Sequence, residues 1–213
     1  MTLPTLINKT QDKEFKTAFK KQYSAFSQAM LRVYMEDGST YEEVNWTKMP
    51  VYICKIQTQM KVVKSGLQCD KINNMSEENF VTTSEWPNTG KHYWHNDNKW
   101  FDKKGNPQGI NGGYRLLSYI LPDGTLVNYN CYNQILIDVN GYKKPNVIGR
   151  DIFFFRLESK NLIPTIVPSS GQIRPNGCAI GGTNATPVLT KDNIEEDCKS
   201  GSGWGCSLLY LLE

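Results

Sequence analysis

The chain has 213 residues and a formal net charge of +3, and 39% of its residues are hydrophobic while 21% are charged. That length is sufficient for one sizeable core, and an aromatic content of 11% excludes an intrinsically disordered chain. The small positive charge alone gives no reason to expect a nucleic-acid-binding protein.

The first predicted element is an amphipathic helix within residues 1–38. Its apolar side chains recur at steps of three and four residues, as one helical face requires. This apolar stripe consists of Phe15, Phe19, Tyr23, Phe26, Met30, Val33 and Tyr34. Asp37-Gly38 is a stop signal, because glycine accepts the left-handed conformation after a last turn. Pro4 is compatible with the first turn of this helix or with a kink in a longer one.

Residues 39–113 are predicted to connect this helix to a sheet. Within them, residues 51–64 are rich in Val, Ile and Tyr, and their pattern fits a short helix or a strand equally well. Residues 65–113 are polar, with many Asn, Gly and Lys, and we interpret them as a long insertion and not as a second domain.

Residues 114–163 are predicted to form an antiparallel β-meander. Runs of β-branched and aromatic residues alternate there with turn signals such as Pro122-Asp123-Gly124, in which proline presets φ and glycine accepts a positive φ. The predicted strands cover residues 114–121, 125–130, 132–139 and 151–157. The remaining residues, 164–213, are rich in Gly, Ser and Asn, and we expect an irregular region that disulfides hold in place.

One amphipathic helix followed by an antiparallel sheet is an α+β arrangement. The apolar stripe of the helix needs a partner, and the inner face of the meander is the surface available to it. We therefore expect residues 1–213 to form one domain, with the N-terminal helix packed on the sheet.

Six cysteines are spread along the chain without a CxxC pair, and only two histidines accompany them, which excludes zinc-finger and zinc-ribbon patterns. An even number of widely spaced cysteines is typical of disulfides formed in an oxidising compartment. We favour Cys198 with Cys206, because the intervening loop is short and glycine-rich, and then Cys54 with Cys69 by sequence proximity. Cys131 and Cys178 remain. The alternative is six reduced, buried cysteines.

Asp138, Asn140 and Asp151 are candidate ligands for Ca²⁺, because Asp-x-Asn places two oxygen ligands on a tight turn that Gly141 allows to bend. Asn146 or a backbone carbonyl could complete such a shell. The alternative is an Asn-Gly turn in which Asp138 and Asp151 accept backbone hydrogen bonds. No other cofactor is expected.

An aromatic cluster near residues 86–104 is interleaved with lysines, a pattern suited to stacking on sugars or on single-stranded DNA. The candidate ligand-binding residues are Trp86, Trp94 and Trp100. The alternative is a long loop that uses these rings as its own small core. His92 and His95 could also be drawn as a metal site with neighbouring aspartates, but the Asn and Gly around them disfavour the helix that this spacing needs.

No nucleophile elbow, phosphate-binding loop or dinucleotide-binding glycine motif is found in the sequence. We therefore expect a protein that is not an enzyme, with no catalytic residues. A hydrolase with an unrecognised site is the remaining catalytic alternative.

Three stretches carry a resemblance to a known family. The segment that starts Thr-Leu-Pro-Thr-Leu-Ile and continues to Met30 resembles the stretch that follows the membrane-embedded half of the first helix in type IV pilin-like proteins. Asp138–Phe155 is similar to a D-x-N-G…P-N…G-x-D-x-F segment of such proteins, and the closing pattern Cys198–Cys206 is a third match. Residues 65–113 have no counterpart in the family.

The resemblance implies a pilin or pseudopilin: a structural subunit of a type IV pilus or of a type II secretion pseudopilus. In that family, a cleavable leader and an apolar helix of about 20 residues precede the matched region, and the first mature residue is methylated. Because no such apolar run is present, we expect it ahead of Thr2 in the natural protein. The expected partners are other pilin-like subunits and the assembly platform. The expected location is the inner membrane facing the periplasm, and then the filament or the cell surface.

A secreted or surface-attached module for glycan or DNA is the less favoured alternative. It would use the aromatic cluster described above. An ordinary signal peptide upstream, or none, would favour it over the pilin-like interpretation.

Overall fold

The computed structural model describes residues 3–41, 49–66, 69, 100–108, 110–111, 118–130, 134–164, 179–180 and 193–213. It has the predicted α+β class, with a long N-terminal helix packed on an antiparallel sheet. The helices are α1 (Leu3–Asp37), α2 (Met49–Gln59), α3 (Ile194–Ser200) and α4 (Cys206–Leu212). The strands are β1 (Lys64–Ser65), β2 (Trp100–Phe101), β3 (Pro107–Gln108), β4 (Ile110–Asn111), β5 (Ser118–Ile120), β6 (Leu126–Asn130), β7 (Gln134–Asp138), β8 (Ile152–Glu158), β9 (Asn161–Pro164) and β10 (Ala179–Ile180).

Helix α1 is 35 residues long and confirms the predicted first element. Pro4 lies in its first turn, where the missing amide hydrogen has no intrahelical acceptor to lose. The helix ends before Gly38, which has a φ of 73° and donates its N–H to the carbonyl of Tyr34 at 2.8 Å. Glycine takes this left-handed conformation without the steric cost of a Cβ atom, so the stop signal works as predicted.

Helix α2 resolves the ambiguity of residues 51–64 in favour of a helix that ends at Gln59. Its side chains Tyr52, Ile53 and Ile56 are buried, at the three- and four-residue steps of a helix. Gln59 at its end bonds to the carboxylate of Glu36 on α1, with both N–O distances at 2.9 Å. The region predicted as a connection therefore supplies a second helix to the core.

The main sheet has six strands in the order β1-β5-β6-β7-β8-β9, and every neighbouring pair is antiparallel. The meander prediction is confirmed for β5 to β8, and β1 and β9 extend the sheet at its two edges. Residues 114–117 and 131–133, at the ends of two predicted strands, lie outside the described residues. At the predicted turn, Gly124 has a φ of 87° and Leu121 donates its N–H to the carbonyl of Thr125 at 2.9 Å.

The inner face of the sheet packs under α1 and α2. Phe19 of α1 is fully buried, and its ring centroid lies 4.2 Å from that of Phe153 and 5.6 Å from that of Phe155. Tyr119 and Tyr129 of β5 and β6 are also fully buried on this face. The apolar stripe of α1 therefore packs on the inner face of the meander, as predicted.

The outer face of the sheet carries a second, smaller apolar cluster. Its members are Trp100, Leu126, Leu136, Ile148, Ile152, Phe154 and Trp204. Loops supply this cover, since Trp204 lies between α3 and α4 and its ring centroid is 4.5 Å from that of Phe154. The sheet is thus buried on both faces, which explains the run Ile152–Phe155 without a polar residue.

The prediction of an irregular region from residue 164 onward is wrong at its start and its end. Pro164 still pairs with Phe155 in β9, and residues 194–200 and 206–212 are helical. Each of these helices has only seven residues, too few to display a hydrophobic period. The acidic residues in the first turn of α3 stabilise that helix, because their negative charges interact favourably with the partial positive charge at its N-terminus.

Candidate functional site

The three predicted calcium ligands lie at the end of β7, where Asp138 is the last residue, and in the loop between β7 and β8. Asp138 and Asp151 are buried, and the Oδ1 atom of Asp138 accepts the N–H of Asn140 at 3.1 Å. Asp151 accepts two backbone donors, Val147 N–H on Oδ1 at 2.6 Å and Asn146 N–H on Oδ2 at 2.8 Å. These are the backbone hydrogen bonds that the turn alternative predicted.

Burial raises the pKa of Asp151 above its ordinary value, while the backbone donors of Val147 and Asn146 act in the opposite direction. The carboxylate therefore serves as the acceptor that closes the loop, at the cost of desolvation. Its loop neighbour Asn146 has a φ of 57°, a left-handed conformation that asparagine tolerates better than most residues.

Calcium binding at this loop stays a prediction. The side-chain Oδ1 of Asn140 is buried and has no hydrogen-bond partner, while its Nδ2 donates to the carbonyl of Lys144 at 3.1 Å. A buried amide oxygen without a hydrogen-bond donor, in the same loop region as two carboxylates, is a suitable ligand for a hard cation such as Ca²⁺. Within the described ranges, no three His, Cys, Asp or Glu side chains are grouped closely enough to hold a metal.

Another buried carboxylate, that of Asp197, organises the C-terminal loop. It accepts Ser202 N–H at 2.8 Å and Ser202 O–H at 2.6 Å on Oδ1, and Gly205 N–H at 2.8 Å on Oδ2. This role of Asp197 was not predicted, although an acidic residue directly before Cys198 and a serine- and glycine-rich loop are a signal for it.

The C-terminal loop docks closely on the loop between β7 and β8. A Cβ atom at Gly149 would lie 2.7 Å from the Sγ of Cys206, and one at Gly203 would lie 2.4 Å from the carbonyl of Ile148. Lys103 crosses the same contact and donates from Nζ to the carbonyl of Cys198 at 2.5 Å. Burial lowers the pKa of Lys103. The two loops therefore form one continuous cover over the outer face.

Two disulfides confirm the preferred cysteine pairs. Cys54 bonds to Cys69 and Cys198 bonds to Cys206. Cys131 and Cys178 lie outside the described residues.

Of the three predicted ligand-binding tryptophans, the structure describes Trp100. Trp100 is only 3% exposed and its ring lies 5.6 Å from Phe154 at an interplanar angle of 17°. This packing agrees with the alternative in which the rings form a small core of their own. Trp86 and Trp94 lie outside the described residues.

The histidine pair His92 and His95 also lies outside the described residues. Of the aspartates near this pair, Asp102 is buried. Its carboxylate accepts hydrogen bonds from the backbone N–H of Asn106 at 2.8 Å and from the side-chain Nδ2 of Asn106 at 2.7 Å. Asp102 therefore holds the turn between β2 and β3.

Where α1 leaves the core, its side chains contact the loops. Arg150 donates from Nε to Asp12 at 2.6 Å and from a terminal nitrogen to Gln11 at 3.2 Å. Tyr210 of α4 donates its O–H to the carbonyl of Gly149 at 3.2 Å. An open cleft of about 430 Å³ borders this junction. The residues lining the cleft are Asp12, Phe101, Asp102, Lys103, Gly105, Val147 and Arg150.

Around this junction, α1 is mostly exposed. From Lys9 onward, the first buried side chain is that of Phe15, whereas Lys9, Lys13 and Glu14 are exposed. None of the helices, so far as they are described, is both long and apolar enough to span a bilayer. Comparison with protein families, with curated proteins and with solved structures gives no match.

Proposed function

We propose that the chain is a structural subunit of a type IV pilus or of a type II secretion pseudopilus-like filament, with no catalytic role. The observation that carries the proposal is the division of α1. The part from Phe15 to Val33 packs on an antiparallel sheet, while the part from Lys9 to Glu14 extends beyond the core with most of its side chains in solvent. The side chains that residues 9–14 expose to solvent are then available for contacts within a filament core.

The two disulfides support the compartment that this function needs. Covalent pairs such as Cys54–Cys69 and Cys198–Cys206 persist in oxidising environments and are rare in the cytosol. In our proposal, a precursor anchored in the inner membrane holds this domain in the periplasm. The assembly platform and neighbouring pilin-like subunits are then its partners, and the head faces outward in the filament.

The first test is the coding sequence ahead of Thr2 in the source genome. We expect a short basic leader followed by about 20 apolar residues, the length that spans a bilayer. An ordinary cleavable signal peptide, or a natural start codon at that point, would contradict the proposal.

The second test is cross-linking of the full-length protein in its own cells with a bismaleimide reagent. Glu14→Cys lies on the projecting part of α1, so copies assembled through their helices should give a ladder of multimers. Lys104→Cys, on the exposed turn between β2 and β3, is the control for reagent access. Monomer alone from Glu14→Cys, under conditions in which both cysteines react, would argue against a helical filament core.

A further inference from the structure

Four lysines form a stripe along the first half of α1, and we call it the lysine stripe: Lys9, Lys13, Lys16 and Lys20. Steps of four, three and four residues place them on one face of a helix. The stripe extends over about 16 Å of helix axis. It lies on a different face from Phe15 and Phe19, so it runs beside the apolar contact with the sheet and not under it.

Among the described residues, one lysine of the stripe makes an ion pair within the domain. Lys16 pairs with Glu213, and its Nζ lies 4.9 Å from the ring centroid of Tyr210. In the parts of the chain that the structure describes, no ion pair involves Lys9, Lys13 or Lys20.

Two of the acidic groups beside the stripe are already paired. Asp12 on α1 bonds to Arg150, and Glu213 bonds to Lys16. Burial lowers the pKa of Lys16, and the positive charge of Lys20 lowers it further. Like charges therefore repel one another along this face, which is the situation that an external anionic partner relieves.

The sequence before the stripe indicates which anionic partner fits. Leu3, Leu6 and Ile7 precede Lys9 within the same continuous helix. Apolar residues followed within a turn or two by lysines on the same helix are typical of a membrane interface, where the methylene stems lie along apolar surface and the ammonium groups reach the headgroups. A nucleic acid offers phosphates as well, but it does not account for the apolar end.

We propose that the lysine stripe binds the anionic phospholipid headgroups of a membrane surface. The inference rests on the proposed function, because a membrane-anchored precursor is what would hold this part of α1 beside a bilayer. Each lysine near an anionic surface contributes about a fivefold gain in binding, so three free lysines give about 100-fold. The attraction is screened beyond about 8 Å at physiological ionic strength, so it should weaken as salt is added.

The test is flotation of the 213-residue chain with vesicles of phosphatidylglycerol and phosphatidylcholine at low salt. The triple variant Lys9→Gln, Lys13→Gln, Lys20→Gln should bind about 100-fold more weakly than the wild type. The control triple variant Lys61→Gln, Lys104→Gln, Lys143→Gln removes the same number of charges from exposed positions outside the helix. It should bind nearly as well as the wild type.

Three results with vesicles would overturn the inference. They are no binding to anionic vesicles, an equal loss in the two triple variants, and equal binding to vesicles of phosphatidylcholine alone. Binding to a single-stranded oligonucleotide that needs the stripe, without binding to vesicles, would also overturn it in favour of a nucleic acid. Circular dichroism checks that each variant is folded. Because the soluble chain needs no anchor, failure here leaves the two filament tests unaffected.

Discussion

The two faces of the main sheet are covered in different ways. On the inner face, one long helix places Phe19 against Phe153 and Phe155, and the cover is almost entirely apolar. On the outer face, short loops cover Phe154, and buried carboxylates hold those loops in shape. The first arrangement depends on side-chain packing, and the second depends on hydrogen bonds to backbone N–H groups.

This difference predicts different responses to mutation. A cavity in the inner face weakens the contact that holds α1 to the domain, so it should affect the global free energy of unfolding. Loss of a carboxylate in the outer face leaves donors without acceptors in one loop, so its effect should be more local.

The largest effect is expected for Phe19→Ala on the inner face. The side chain is fully buried between two aromatic strand residues, and truncation of a buried Phe to Ala costs about 3–5 kcal/mol. Urea unfolding measures the change. Leu31→Ala is the matched control on the same helix, because Leu31 is 45% exposed, and it should cost less than about 1 kcal/mol. Similar losses in the two variants would show that α1 is not held by this aromatic contact.

Next in size is Asp197→Ala on the outer face. The substitution removes the acceptor for Ser202 and Gly205 in a buried loop, and we expect a loss of about 2–3 kcal/mol. The amide of Gly205 should lose its protection from hydrogen exchange before the amides of the main sheet do. Glu196→Ala, one residue earlier and exposed, should change the free energy of unfolding by no more than about 0.5 kcal/mol. Equal protection of Gly205 in the two variants would contradict the role of Asp197.

The inner face could be predicted from sequence, while most of the outer face could not. Phe15, Phe19, Phe26 and Met30 recur with the helical period, and the strands opposite them are runs of β-branched and aromatic residues between turn signals, so local patterns alone predict both elements. Even there, the pattern of residues 51–64 fitted a helix or a strand equally well. Packing against α1 is what favours the helix.

The outer face depends on contacts between residues far apart in the chain. Trp100, Phe154 and Trp204 meet across about half of the sequence, and nothing local in the sequence marks them as neighbours. The Ser- and Gly-rich loop after Asp197 is a signal for a carboxylate that accepts hydrogen bonds, but the sequence does not specify which N–H groups of the loop reach it. The candidate calcium loop was found because its Asp, Asn and Gly lie close together in sequence, but whether their oxygens hold a cation or a turn depends on three-dimensional contacts.

The smallest expected effect is a pH dependence that differs between the two faces. Burial raises the native pKa of Asp151 on the outer side, so the native state holds this proton to higher pH than the unfolded chain does. The stabilisation that comes from protonating Asp151 in the native state is then fully present below the unfolded pKa of about 3.9. It is lost as the pH rises through the native pKa. Asp151→Asn does not titrate, so the stability difference between wild type and variant should grow as the pH falls from 7 to 4.

Asp37, at the end of α1, gives the matched control with the opposite sign. Its hydrogen bonds to Lys55 and Ser39 lower its pKa to about 2, so its contribution is present above the unfolded pKa and is lost as the pH falls through about 2. The pair is largely exposed, and Asp37→Asn should therefore cost only about 0.5 kcal/mol at neutral pH. Its stability difference from wild type should shrink below about pH 4. Urea unfolding curves across this range measure both variants. A difference that shrinks on acidification for Asp151→Asn as well would mean that the backbone donors of Val147 and Asn146 outweigh desolvation in the folded protein.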